Sequence, residues 1–196
     1  MKKLLIFLMA CLFSLNCVAQ EEIEHMKFMG IPITGKVSDF QKQLRKKGFR
    51  SIGRAKEFKI MKGTFDGQEA QLYIQYNKET KEVKGVCVII PCHYENWAIN
   101  MYNSYEKKLH EKYVNNNIAF EEKSIGDLGY EATSYNIYSK GKNIGTIKLS
   151  VNNIDIPYSY SYDNQRYRYS LMFIYIDSYN SLMDAFLNKR NFETDY

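Results

Sequence analysis

Two cysteines and a histidine come nearest, by type and spacing, to a nucleophilic site. Cys92 and His93 are adjacent, and Cys87 lies five residues before Cys92. A cysteine nucleophile needs a base within about 3 Å and a third group that orients this base. Because adjacent side chains seldom point at each other, we expect Cys92 and His93 to have structural roles. A small exported hydrolase with an unrecognised site near these two residues is the alternative hypothesis.

The C-x4-C spacing of the two cysteines bears on disulfide formation and on metal binding. Residues 86–90 have the apolar composition of a strand, and Pro91 follows them. A bridge would require the chain to fold back sharply and the two Cα atoms to come within about 7 Å. We therefore predict two separate, mostly buried thiols, whereas a turn at Pro91 would permit a bridge. As metal ligands, Cys87 and Cys92 have an unusual spacing and only His93 beside them, so we expect no metal and no cofactor.

The other histidines and a group of acidic residues do not form a recognisable catalytic set. His25 lies in the leading segment, and His110 lies near the end of a predicted helix, where we expect a solvated surface residue. Glu121, Glu122 and Asp127 are close in sequence, as in a solvated turn. The chain lacks a G-x-S-x-G elbow, a P-loop, an H-E-x-x-H motif and a dinucleotide fingerprint. We therefore predict that the protein is not an enzyme.

A tyrosine-rich segment is the feature best suited to binding. Of the 17 tyrosines, five lie between Pro157 and Tyr169, interleaved with serine, asparagine and arginine. Tyrosine gives a large contact area at low entropic cost, while the polar residues supply hydrogen bonds. The candidate binding residues are Tyr158, Tyr160, Tyr162, Arg166, Tyr167 and Tyr169. The partner would be a protein or a glycan of the cell envelope, since sugar rings also stack on tyrosine.

The same pattern also suits a hairpin with one half-buried face, because tyrosine favours strands. In that hypothesis the phenol rings cover the sheet, and Asp163 and Asn164 form the turn. We predict a hairpin under both hypotheses, which differ in whether its tip binds a partner.

The first 19 residues have the features of an export signal. Two lysines follow the initial methionine, residues 4–15 form an apolar run, and small residues end at Ala19. We therefore expect cleavage before Gln20 and a periplasmic or extracellular location. A lipid anchor at Cys17 is the competing hypothesis, although the asparagine before it fits that motif poorly. A membrane span needs about 20 apolar residues, so we expect no transmembrane segment.

Composition and charge place the chain among folded proteins. Hydrophobic residues make up 45% of the 196 positions and charged residues 25%, whereas disorder requires fewer apolar residues and a larger net charge. The leader carries two of the 27 basic and none of the 22 acidic residues, so the formal charge of +5 falls to +3 without it. This excess is too small to favour nucleic acid as a partner.

We predict a first α+β unit over residues 20–92. Its helix begins at a capping box formed by Ser38 and Gln41, and it ends at Gly48 in a Schellman motif. A type I′ turn at Asp66-Gly67 joins two of its strands. The predicted strands cover residues 26–31, 57–65, 69–76 and 83–90.

A second unit is predicted over residues 93–196, packed with the first as one compact body. Its amphipathic helix, residues 93–113, has an apolar stripe formed by Tyr94, Trp97, Ala98, Met101, Tyr105 and Leu109. The predicted strands cover residues 118–123, 130–138, 144–151 and 167–176, and a closing helix covers 178–189. The order of the longer elements, α-βββ-α-ββββ-α, indicates an α+β fold with antiparallel sheet.

Residues Phe28 to Gly35 form the motif F-x-G-I-P-x-x-G, and Phe40, Leu44 and Lys47-Gly48-Phe49 follow it. With these residues the chain resembles uncharacterised small secreted proteins of Bacteroidetes-type bacteria. The helix-then-meander units are similar in architecture to β-lactamase-inhibitor-like domains, which bind proteins and catalyse nothing. The resemblance implies a binding protein, at the level of architecture only.

Overall fold

Within the residues that the structure describes, an antiparallel sheet carries two α-helices on one face, which is the α+β class that the sequence predicts. The computed structural model describes residues 24–125, 130–153 and 168–180. Within these ranges the strands are β1 (Lys27–Phe28), β2 (Ile31–Pro32), β3 (Arg50–Ala55), β4 (Phe58–Phe65), β5 (Gln68–Tyr76), β6 (Val83–Cys92), β7 (Ala119–Ile125), β8 (Glu131–Ser139), β9 (Lys142–Asn153) and β10 (Tyr169–Asp177). The helices there are α1 (Val37–Lys46) and α2 (Glu95–Leu109), with a π-helical turn at His110–Val114 and a 3-10 turn at Ser178–Asn180.

Two meanders join to form the main sheet. Its eight strands have the order β3-β4-β5-β6-β10-β9-β8-β7, while β1 and β2 pair separately. Strands β3 to β6 form the first meander and β7 to β10 the second. They meet where their last strands pair, with Val88 of β6 opposite Phe173 of β10. The pairing of β6 with β10 therefore makes one continuous sheet from the two predicted units. The division of the chain between residues 92 and 93 remains a prediction.

Two strands differ from the sequence prediction, and one predicted helix lies mostly outside the described residues. Strand β3 is additional, because its residues lack apolar alternation and it forms by pairing with β4 at the sheet edge. The single strand predicted at 26–31 is wrong: Met29 (φ 51°) and Gly30 (φ 79°) adopt the left-handed conformations of a type I′ turn, which makes a hairpin of β1 and β2. Of the predicted helix 178–189, residues 181–189 lie outside the described ranges.

The start of α1 is held by a distant backbone contact. The predicted capping box is wrong, because Lys36 precedes the helix and no side chain caps it. Instead, the amide of Val37 donates to the carbonyl oxygen of Lys81 at 2.8 Å. An exposed helix amide needs some acceptor, and here the turn before β6 supplies it in place of Ser38.

The end of α1 follows the predicted Schellman motif. Gly48 has a φ of 92°. The amide of Phe49 donates to Leu44 O at 3.2 Å, and that of Gly48 donates to Arg45 O at 3.0 Å. Phe49 and Leu44 are both buried. The local sequence therefore determines this helix end.

The main core lies on the sheet face that carries α1, α2 and the β1–β2 hairpin, called here the inner face. Phe173, on the central strand β10, packs edge-on against Tyr105 of α2 at 5.0 Å between ring centroids and against Phe65 of β4 at 5.3 Å. Phe28 of the hairpin contacts Tyr175 of the same strand at 5.1 Å. Elements from both halves of the chain therefore share one aromatic core.

A buried carboxylate fixes the leading segment to the end of β10. Asp177 is fully buried. Its Oδ2 accepts the Met26 amide at 2.7 Å and lies 3.0 Å from His25 Nδ1, while its Oδ1 accepts the Tyr179 amide at 3.0 Å. These contacts give His25 a structural position that its place in the sequence does not indicate.

Candidate functional site

The tyrosine-rich segment connects two adjacent strands at the centre of the sheet. Asn153, the last residue of β9, lies opposite Tyr169, the first residue of β10. On its other side Tyr169 lies opposite Cys92, at the end of β6. Of the predicted binding residues, only Tyr169 is within the described ranges. The others, Tyr158, Tyr160, Tyr162, Arg166 and Tyr167, lie outside them.

Glu95 holds two tyrosines at this end of the sheet. Its Oε2 accepts the Tyr169 hydroxyl at 3.2 Å, and its Oε1 accepts the hydroxyl of Tyr130. The hydrogen bond to the carboxylate raises the pKa of Tyr130 to about 12. Desolvation, followed by the Glu95 hydrogen bond, raises the pKa of Tyr169. Both phenols are therefore protonated donors at neutral pH, and a carboxylate in the first turn of α2 also suits the helix dipole.

Two large aromatic side chains beside Glu95 are exposed. Tyr94 is 75% and Trp97 41% exposed, so their predicted place on the buried stripe of α2 is wrong. Tyr94 precedes the helix in an extended conformation, with φ −122° and ψ 141°, and helical periodicity does not apply to it. The other predicted stripe residues, Ala98, Met101, Tyr105 and Leu109, are buried.

Tyr102 is the buried helix residue that the predicted stripe omits. Its hydroxyl and Thr133 Oγ1 of β8 are 2.6 Å apart, so a polar contact holds it inside.

We call the group formed by Tyr94, Glu95, Trp97, Tyr130 and Tyr169 the aromatic end.

Cys92 does not have the features of a nucleophile. Cys92 is fully buried, and its Sγ donates to Ile90 O at 3.5 Å. Burial raises the pKa of the Cys92 thiol, which disfavours the thiolate that would be the nucleophile. Cys87 is also buried and free; because it lies five residues from Cys92 along the continuous strand β6, it is on the opposite face. Pro91 lies within this strand, opposite Ser170, and makes no turn.

We expect Cys92 to resist iodoacetamide in the folded protein and to react fully in urea. Its burial both blocks the reagent and disfavours the thiolate. Peptide mass spectrometry after timed alkylation measures the modified fraction. Rapid labelling of native Cys92, together with loss of a hydrolytic activity, would instead support the hydrolase hypothesis.

His110 and the acidic residues near it stabilise an edge strand. His110, predicted as a solvated surface residue, is only partly exposed, and its Nδ1 lies 2.5 Å from Glu121 Oε2. The solvated-turn prediction is wrong for Glu121 and Glu122, which lie in strand β7, and Asp127 lies outside the described ranges. Lys123 Nζ, also on β7, is 2.9 Å from an oxygen of Glu106 on α2. These pairs connect β7 to the end of α2.

Neither a membrane span nor a metal cluster is found in the described parts of the chain. No helix there is long and apolar enough to cross a bilayer. No three side chains of the metal-binding types histidine, cysteine, aspartate and glutamate are gathered there as a possible ion site. Comparison with known proteins found no matching family model, no matching curated protein and no matching solved structure.

Proposed function

We propose that the protein is an exported, non-catalytic binding module of the cell envelope. It holds a protein or glycan partner through the aromatic end and the tyrosine-rich connection between β9 and β10. The observation that carries the proposal is the pair of hydrogen bonds that Glu95 accepts from Tyr130 and Tyr169. They bring Tyr169, which directly follows the connection, close to the N-terminus of α2, where Trp97 in the first turn and Tyr94 just before the helix are exposed.

The chemistry of the aromatic end supports binding. Trp97 and Tyr94 expose ring surface, and a partner that covers it would gain about 25 cal/mol for each Å² of apolar area removed from water. Tryptophan and tyrosine are also the residues that most often dominate the energy of an interface. Because Glu95 fixes the phenols of Tyr130 and Tyr169, the surface loses little conformational freedom when a partner binds.

The test is affinity capture from envelope extract. We expect the double variant Tyr94→Ala, Trp97→Ala to capture at least about tenfold less partner than the unsubstituted protein. Truncating one hot-spot side chain costs about 2 kcal/mol or more of binding free energy. Phe120→Ala is the matched control, because Phe120 is 70% exposed but lies on β7, outside the aromatic end. Quantitative mass spectrometry of the captured material measures the difference.

A second variant, with three substitutions, tests the tyrosine-rich connection itself. Replacing Tyr158, Tyr160 and Tyr162 by alanine should abolish capture and leave the circular dichroism spectrum unchanged. Protease treatment or periodate oxidation of the extract then separates a protein partner from a glycan. Capture that both variants retain at the level of the Phe120→Ala control would refute the proposed function.

A further inference from the structure

An apolar patch lies on the outer face, the side of the sheet opposite the helices. It consists of Tyr73 on β5, Cys87 and Ile89 on β6, and Met172, Ile174 and Ile176 on β10. Ile174 lies opposite Cys87, and Met172 lies opposite Ile89, so the side chains form continuous rows across the central strands. We call these six side chains the outer patch.

Four of the six side chains of the outer patch are buried. Cys87 is 0%, Ile89 1%, Ile174 4% and Ile176 8% exposed. The described residues of this cluster come from sheet strands alone, whereas both helices and the β1–β2 hairpin contribute to the inner cluster. Even Gln75, a polar outer-face residue beside the patch, is only 3% exposed. An apolar sheet face with such low exposure needs a second layer over it.

We propose that the chain's own C-terminal segment, residues 181–196, docks on the outer patch as this second layer. Its apolar residues recur at helical spacing: Leu182 with Phe186, and Met183 with Leu187. Ser181 followed three residues later by Asp184 has the pattern of a helix start. The segment therefore offers one apolar helical face to the sheet.

The exit of the chain from β10 suits this docking. The 3-10 turn Ser178–Asn180 contacts both strands beside β10, namely β6 and β9, and Ser178 Oγ lies 2.7 Å from Asn143 Oδ1. The described chain therefore ends shortly after Ile176, which lies at one end of the outer patch. A helix over residues 182–189 is about 12 Å long. The patch occupies three adjacent strands, β5, β6 and β10, and thus spans roughly 10 Å.

The two cysteines allow a direct test, because they report on opposite faces. A chain that starts at Gln20 is compared with one that also ends at Asn180, and both are treated with iodoacetamide and mapped by mass spectrometry. We expect removal of the segment to accelerate labelling of Cys87 at least about tenfold, while Cys92 on the inner face stays protected. Light scattering establishes the oligomeric state of each chain.

Substitutions in the complete segment test the same contact without shortening the chain. Leu182→Asp with Phe186→Asp should expose Cys87 in the same way, whereas Asn188→Asp, on the polar side, should not. If the truncated chain labels at both cysteines, it has unfolded, and the double substitution then decides. Protection of Cys87 in the double variant, or in a truncated chain that still protects Cys92, would overturn the proposal, whether that chain is monomeric or dimeric.

Discussion

Replacing Gly145 by alanine is expected to destabilise the protein by about 3 kcal/mol, the upper part of the usual range for overpacking. A Cβ atom at this position would lie 2.2 Å from the carbonyl oxygen of Ile176 and 2.9 Å from Met26 Sδ. The Ile176 oxygen is backbone, so no side-chain rotation can relieve the contact. The paired strands β9 and β10 would have to separate locally, next to the contacts of Asp177.

Gly53→Ala is the matched control for this substitution. Gly53 lies on the edge strand β3, and a Cβ atom there would meet nothing within 4 Å. We expect Gly53→Ala to change the free energy of unfolding by no more than about 0.5 kcal/mol. Urea denaturation followed by circular dichroism measures both variants. Equal midpoints for the two alanine variants would show that β9 and β10 are not packed as described.

Stability is expected to fall as the pH rises above 9. Burial raises the pKa of the Cys87 thiol from its ordinary value of 9.0 to about 12. Between these two values the unfolded chain has lost this proton and the folded chain retains it. The stabilisation is therefore complete below pH 9 and is lost progressively toward pH 12, with a slope of up to about 1.4 kcal/mol per pH unit. Desolvation raises the pKa of Tyr102 and Tyr175 too, which adds to the loss above pH 10.

The variant Cys87→Val isolates the thiol contribution. Valine keeps an apolar side chain at the position and removes the titrating group. We expect a flatter stability curve from pH 9 upward, while a smaller decline remains, caused by the Cys92 thiol and the buried tyrosines, whose pKa values burial also raises. Urea midpoints measured at half-unit intervals from pH 7 to 11 give both curves. An identical slope with and without Cys87 would contradict a buried thiol at this position.

Features determined by neighbouring residues could be predicted from the sequence. The Asp66-Gly67 turn has φ values of 46° and 81°, as the type I′ prediction requires, and Gly48 ends α1. Features that depend on distant backbone contacts could not. The amide of Val37 is capped by Lys81 rather than by Ser38, because tertiary pairing places a carbonyl there.

The candidate site shows the same limit. Its central contact joins Glu95, Tyr130 and Tyr169, which are far apart in the sequence and become neighbours through the register of the sheet. The tyrosine-rich composition indicates a surface near Tyr169. It gives no sign of Glu95, and periodicity alone places Trp97 on the wrong side of the helix. The exposure of Tyr94 and Trp97 could be recognised only after the structure showed that the helix begins at Glu95.

The pairing of β6 with β10 also determines when the fold can be completed. Strand β6 pairs with β10, so the strand that joins the halves is synthesised after the other described strands. Until it arrives, β6 and β9 each have an unpaired edge, and such edges tend to associate with other chains. Contacts of this long sequence separation also form slowly. The nascent chain therefore has an extended period before its sheet closes, during which the edges of β6 and β9 are open to such association.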